Sequence, residues 1–439
     1  MKKMVLTLVC ALLMAVSSGC TKTPALPTDA TTVKTSATTT HFFTQPTVST
    51  TQDDTTATTT TTTTTYPTLS GTVTSSIVTS TTATTITTAK PTATTKPTTT
   101  QTTTKKPVKK LDIKGVWYSF LELEATGACD EATFTATINE RFANIKNKGY
   151  NAVFVHVRCH GDATYPSEYY PWAECVSGTA GVAPAYDPLQ IMVNAAKSQG
   201  LKIHGWINPY RTMTDEQFET VADTYLTKQW YASENRSDYM IKHEDNWWLK
   251  PSNPQVLELI KNGAKELFDK YQLDGIHIDD YFYAKDPSYY GDSVASAKQN
   301  TTKLVKALYD IAHSSGAVFG ISPAGRFVDT LPDSDLRYYS TDFNTWCKKS
   351  GYLDYVAPQI YWSRNASNVN TRFETVLKKW SSFVTAPSVE LYVGLAPYKE
   401  EMDINEINAQ IQLIKAYEKS SGFIMFRYDF IWDKEYNFN

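Results

Sequence analysis

Two carboxyl groups, Asp279 and Asp280, stand side by side directly after the alternating run Asp274-Gly275-Ile276-His277-Ile278. Successive side chains of a strand face opposite sides, so Ile276 and Ile278 share one face while His277 and Asp279 share the other. An acid at the open end of a strand with a second acid beside it is equipment for proton transfer. One carboxyl can protonate a leaving oxygen while another faces the positive charge that develops, which is what cleavage of a glycosidic bond requires. Asp279 is the first candidate and Asp280 the second. Glu122, Asp162 and Asp429 are the other acids close to strand ends.

The same alternation recurs elsewhere. In Asn151–Arg158 the residues Val153, Val155 and Val157 take one face and leave His156 and Arg158 on the other. In Leu201–Asn208 the inward set is His204, Trp206 and Asn208, and in Tyr355–Trp362 it is Gln359 and Tyr361, with Trp362 next in line. With Arg211 and Tyr281 in the loops that follow, the expected binding set is His156, Arg158, Trp206, Asn208, Arg211, His277, Tyr281, Gln359, Tyr361 and Trp362. These are donors to sugar hydroxyls and aromatic faces on which a sugar ring can stack. Trp247, Trp248 and Tyr283 belong to the same neighbourhood. His156, His204 and His277 together with Asp279 form an alternative, a metal site serving a carbohydrate deacetylase. No His-x-His pair and no Cys–His spacing supports it, so neither a metal nor any cofactor is expected. A third reading is a barrel that binds polysaccharide without cutting it.

Such residues need a scaffold that brings many strand ends together. Beyond Lys110 the chain repeats an amphipathic helix, a glycine, and a short run rich in Val, Ile and aromatics. From Glu131 to Lys148, Phe134, Ile138, Phe142 and Ile145 lie on one helical face. Gly149, Gly200, Gly316, Gly351 and Gly422 stand where a left-handed residue closes a helix. The strands expected are Gly115–Ser119, Asn151–Arg158, Leu201–Asn208, Gly275–Asp279, Val318–Ser322, Tyr355–Trp362, Leu391–Ala396 and Phe423–Tyr428. Strands alternating with helices in this number predict an α/β fold, a (β/α)₈ TIM barrel, whose chemistry sits at the C-terminal ends of its strands. A doubly wound open sheet is the other option, but no Gly-rich phosphate loop favours it.

Of 439 residues only part can build that barrel. Residues 21–110 are mostly Thr, Ser, Pro, Ala and Lys, a composition too polar to bury a core, and are expected to be a disordered tether. Residues 111–439, roughly 330 of them, suit one barrel. Residues 1–20 read as a signal peptide: two lysines, an apolar stretch from Met4 to Val16, then Ser17-Ser18-Gly19-Cys20. That last run resembles a lipobox, so Cys20 is the expected lipidation site and the address is extracytoplasmic, on a bacterial membrane through a lipid anchor. A net charge of -3, without a basic stripe, argues against a nucleic-acid partner. The expected partners are polysaccharide and membrane, and the expected state is a monomer.

Several long segments carry a resemblance: Asn151-Ala-Val-Phe-Val-His-Val-Arg158, Gly161-Asp-Ala-Thr-Tyr-Pro-Ser-Glu-Tyr-Tyr-Pro-Trp172, His204-Gly-Trp-Ile-Asn-Pro-Tyr-Arg211, Leu273-Asp-Gly-Ile-His-Ile-Asp-Asp-Tyr-Phe-Tyr283, Gly320-Ile-Ser-Pro323, Ala357-Pro-Gln-Ile-Tyr-Trp-Ser363 and Gly394-Leu-Ala-Pro-Tyr398. In this order they resemble the glycosyl-hydrolase-like family 10. The resemblance spans the whole folded part and implies a TIM-barrel glycosidase of bacterial envelopes, acting on peptidoglycan glycan strands that lack stem peptides. The run ending at Asp279 also resembles the fourth strand of chitinase-type barrels, which finish with a Glu where this chain has Tyr281. In barrels that cleave N-acetylhexosamines, an adjacent acid pair like Asp279 and Asp280 divides the work: one carboxyl orients the acetamido group and its neighbour protonates the leaving oxygen. The chain departs from its family in one loop, reading Arg158-Cys159-His160-Gly161-Asp162 where relatives tend to read Arg-Pro-Phe-Gly-Asp, with Cys175 in place of an aromatic. Paired departures in an exported protein suggest a Cys159–Cys175 disulfide.

Overall fold

The computed structural model describes residues 111–326 and 340–438. The expected signal segment, Cys20 and the Thr-rich tether lie outside the described residues. Eight parallel strands form a closed ring in chain order: β1 Ile113–Tyr118, β2 Ala152–Arg158, β3 Lys202–Ile207, β4 Gly275–Asp279, β5 Val318–Ser322, β6 Tyr355–Val356, β7 Glu390–Leu395 and β8 Ser420–Met425, with β8 pairing back onto β1. Outside the ring run α1 Glu131–Asn147, α2 Pro188–Ser198, α3 Pro254–Lys270, α4 Val294–Ser314, α5 Phe373–Phe383 and α6 Ile404–Ala416. Between β5 and β6 the described residues hold a single helical turn, Phe343–Trp346. The expected (β/α)₈ barrel is therefore the fold.

The local rules read from the sequence account for most elements. Asp130 caps α1 by accepting from the Thr133 amide at 2.8 Å, and Phe134, Ile138, Phe142 and Ile145 are all buried against the sheet. Each such side chain contributes roughly 1.5–3 kcal/mol on burial, which is what holds a helix to the ring. Gly149 has φ 87°, as a helix-closing residue should. Gly422 does not follow suit. It lies inside β8, where a Cβ would come within 2.5 Å of the Ile113 carbonyl, so closeness of β1 and not helix closure calls for glycine there. The ladder of β6 stops at Val356, earlier than expected, because Pro358 has no N–H to donate; Gln359 then makes isolated bridges to Ala324 and Gly394.

Side chains fill the barrel interior. Trp117 Nε1 donates to His277 Nε2 at 3.0 Å, His277 Nδ1 lies 3.1 Å from the Tyr355 hydroxyl, and that hydroxyl lies 3.2 Å from His204 Nδ1. Since the indole can only donate, His277 carries its proton on Nδ1 and passes the direction on: Nδ1–H to the Tyr355 oxygen, Tyr355 O–H to His204. Burial keeps both imidazoles neutral, His277 well below its ordinary pKa and His204 at about 3. Gly320 makes room for this chain, since a Cβ there would stand 2.2 Å from the Tyr355 ring.

Two further features frame the mouth and base. After β3 an antiparallel sheet is inserted, with Asn246–Leu249 between Arg211–Thr214 and Met240–His243. After β8 the chain returns to the base, where the Phe438 ring packs 5.0 Å from Tyr150 and 5.3 Å from Phe423.

Candidate active site at the barrel mouth

Asp279 closes β4 at the C-terminal end of the ring, 6% exposed. Among the described residues no hydrogen bond or ion pair reaches its carboxyl. Burial, and after it the charge of Asp280, push its pKa well above the usual carboxylate range, so the acid holds its proton. Asp280 is anchored differently, with Oδ2 accepting the Ala324 amide at 3.2 Å. One carboxyl kept protonated by its surroundings beside one fixed by a backbone donor is how acid roles are separated.

Aromatic rings wall one side. The Tyr361 hydroxyl is held far above its ordinary pKa, chiefly by burial. Its ring lies 6.1 Å from Phe426, which lies 6.0 Å from Trp117. Gln359 Nε2 donates to Ser322 Oγ at 3.2 Å, orienting that amide beside them. On the other side His156 stacks on Trp206 with ring centroids 3.4 Å apart, and its Nδ1 accepts the Phe120 amide at 3.2 Å. His156 is neutral through burial. Asn208 Nδ2 donates to the Cys159 carbonyl at 3.1 Å, and Arg211 donates to Asn246 Oδ1 at 3.2 Å. Tyr281 stands at the rim, 49% exposed. Among the described residues Trp206 Nε1 and Asn208 Oδ1 are buried without a hydrogen-bond partner, a state that costs free energy.

Over this geometry the family model described as Glycosyl hydrolase-like 10 matches residues 112–310 and 294–412. The chain belongs to that family. It is 31% identical over 338 residues to "Glycosyl hydrolase DigH" of Escherichia coli (strain K12), covering 66% of this chain and 75% of that protein. To "Glycosyl hydrolase YngK" of Bacillus subtilis (strain 168) it is 29% identical over 285 residues, covering 58% of this chain and 54% of that protein. Among solved structures, "Alpha-L-fucosidase isoenzyme 2 from Paenibacillus thiaminolyticus" aligns with a TM-score of 0.44 at 12% identity, covering 72% of this chain and 46% of that one.

Within this glycosyl-hydrolase-like barrel the remaining candidates sort by contact. Glu122 is fully buried, its Oε1 bound by Arg427 at 2.6 Å and its Oε2 by Ser119, so it braces the base of the first loop. Asp429 shares Arg427 at 2.7 Å. Asp162 accepts the amides of Cys159 and His160 at 2.8 and 2.9 Å and shapes the loop after β2. That leaves Asp280 as the acid beside Asp279. His277 belongs to the interior chain below the mouth, both nitrogens occupied. The metal alternative loses its geometry with it, and among the described residues no three His, Cys, Asp or Glu side chains converge as ligands. Trp362 packs half-buried on the outer core, and Trp247 donates to Asp215 at 2.8 Å in the inserted sheet.

Arg158 is a correction. Parity puts it in the barrel, but the β2–β3 register shifts between His156 and Arg158, and the bulge turns the side chain outward. Its guanidinium lies over the Tyr170 ring at 4.6 Å, and a Cβ on Gly263 of α3 would stand 2.7 Å from Nη1. The disulfide is a second correction. Cys159 and Cys175 are free, buried thiols, hydrogen-bonded side chain to side chain. Shared burial, not a covalent bond, holds the loop there. His160 was missed by strand parity because it lies beyond the strand; it packs 5.1 Å from Phe120, and burial, with Arg211 adding to it, brings its pKa to about 3.

Proposed function

We propose that the protein is a glycosidase that cuts a bacterial cell-wall-type polysaccharide, with peptidoglycan glycan strands lacking stem peptides as its substrate. The observation that carries this reading is Asp279: a buried carboxyl at the barrel mouth, without a partner among the described residues and with its pKa raised by burial. In this mechanism Asp279 gives its proton to the glycosidic oxygen as the bond from that oxygen to the anomeric carbon breaks, the bonding pair leaving with the oxygen. Asp280, held by the Ala324 amide, faces the positive charge left on the sugar. Water adds to the anomeric carbon, and its surplus proton returns to the carboxylate of Asp279. The rings of Trp206, Tyr361 and Phe426 offer apolar faces to the pyranose. DigH and YngK bear the name of glycosyl hydrolases, which supports the reaction class.

The test is incubation of residues 111–439 with peptide-free peptidoglycan glycan, chitin and xylan, followed by mass analysis of the products. Cleavage of the peptidoglycan glycan alone is expected. Cleavage of chitin or xylan instead would reassign the substrate, and binding without product from any of the three would replace the enzyme by a binding module.

A further inference from the structure

We infer that a second saccharide-binding groove continues the active site past Tyr398, so that the protein grips its glycan over several sugar units. This rests on the glycosidase reading and specifies how that enzyme selects long chains. The groove, about 520 Å³, is lined among others by Tyr398, Lys399, Glu400, Asn405, Phe430 and Lys434, in the loop after β7, the start of α6 and the segment after β8. It is joined to the mouth by ring contacts: Tyr398 lies 6.0 Å edge-on from Tyr361 and 5.9 Å from Phe430 on the far side. Tyr398 is 39% exposed, so its face is available.

The chemistry of the lining fits a polyhydroxylated, ring-shaped ligand. Two aromatic rings supply apolar faces, while two ammonium groups, two carboxylates and an amide supply donors and acceptors at the edges, the combination that places sugars. Lys399 Nζ donates to the Tyr361 carbonyl at 2.8 Å and Lys434 Nζ to the Pro397 carbonyl at 3.3 Å. Each ammonium has three N–H groups, so both lysines keep donors for a ligand while their chains are pinned in place. The Lys399 bond also ties the groove to the backbone of Tyr361 at the mouth. The lining carries both signs of charge, Lys399 and Lys434 with Glu400 and Asp403, which suits a neutral or weakly charged glycan.

Gripping distant units raises turnover of long substrates over short ones, because the remote binding energy is available to position the bond at Asp279. The experiment compares kcat/KM on short and long peptide-free peptidoglycan oligosaccharides, and on chitooligosaccharides, for the wild type, Phe430→Ala and Asn405→Trp. The first variant removes a stacking face and the second fills the groove from the exposed start of α6. Wild-type kcat/KM is expected to rise with chain length by tenfold or so, about 1.4 kcal/mol of added binding. Both variants should lose that rise and cleave the shortest cleavable oligomer at the wild-type rate. If both variants keep the full length dependence, the groove is not a subsite, although the glycosidase reading stands. If the wild type cuts none of the probes, that reading fails, and calorimetric titration of the same oligosaccharides decides the groove separately: binding weakened in both variants supports it, and unaltered binding overturns it.

Discussion

Asp279 is a carboxyl denied the partners that carboxyls usually find. Asp279→Asn is nearly isosteric, yet it removes the transferable proton, and kcat on a cleaved glycan is expected to fall roughly 100- to 10,000-fold. The same substitution should raise Tm at neutral pH. A carboxyl whose folded pKa is raised contributes stability only while protonated, and that contribution drains away as pH climbs from the unfolded value near 3.9 through the folded one. Asparagine cannot ionise and escapes the loss. Activity should follow the same titration, with kcat/KM declining on the alkaline side as Asp279 gives up its proton. A variant with a tenth of wild-type activity, or a Tm below wild type, would falsify the role given to this acid. Asp280→Asn, which keeps an acceptor for the Ala324 amide, should cost less. The thiols carry another prediction at this scale. Burial raises the Cys159 pKa well above that of a free thiol, so little thiolate exists to react. Alkylation of native protein should spare Cys159 and Cys175 and label both after unfolding. A linked peptide in an unreduced digest would instead show that the two thiols oxidise to a bridge.

Among the elements, β2 shows where reading by alternation ends. Its first residues keep strict parity, and Val153, Val155 and Val157 all reach the outer core. One register shift then reverses Arg158, and nothing in the residue types announces it. The buried Arg158 guanidinium, whose Nε and Nη2 have no partner among the described residues, works chiefly by lying on the Tyr170 ring outside the barrel, so Arg158→Met should leave kcat unchanged within a small factor and Tm no more than a few degrees away. A collapse of kcat with the fold intact would return Arg158 to the active site. Elsewhere the pattern was legible because the physics was local: β4 and β5 lie where aliphatic alternation puts them, and α1 buries the four residues its spacing selects. Asp279 was legible for the same reason. The employment of Glu122 was not, because its partner Arg427 stands 305 residues away and is brought to it only by the ring closing. His160 sits in a loop, where no period applies.

For the whole molecule, closure of β8 on β1 leaves the barrel without an open strand edge among the described residues. Residues 111–439 produced alone should therefore unfold at the same temperature as a longer soluble form that includes the Thr-rich segment, measured by calorimetry. A markedly lower Tm for the shorter protein would move the domain boundary toward the N-terminus.

The first and last described residues of the barrel both lie at its base, where the Asp112 amide donates to the Ser421 carbonyl at 2.7 Å and Phe438 packs against Tyr150. Both handles are thus on the side opposite the working face. Coupled to a bead or an electrode through either end, the barrel presents an unobstructed opening, and rates on dissolved oligosaccharide should match those of the untethered protein. Coupling through a cysteine introduced at the rim, at Tyr281, should throttle the same reaction. Nearness of the ends also makes the ring a candidate for circular permutation, with a short bridge joining them and new ends cut in any outer loop between helix and strand at the base.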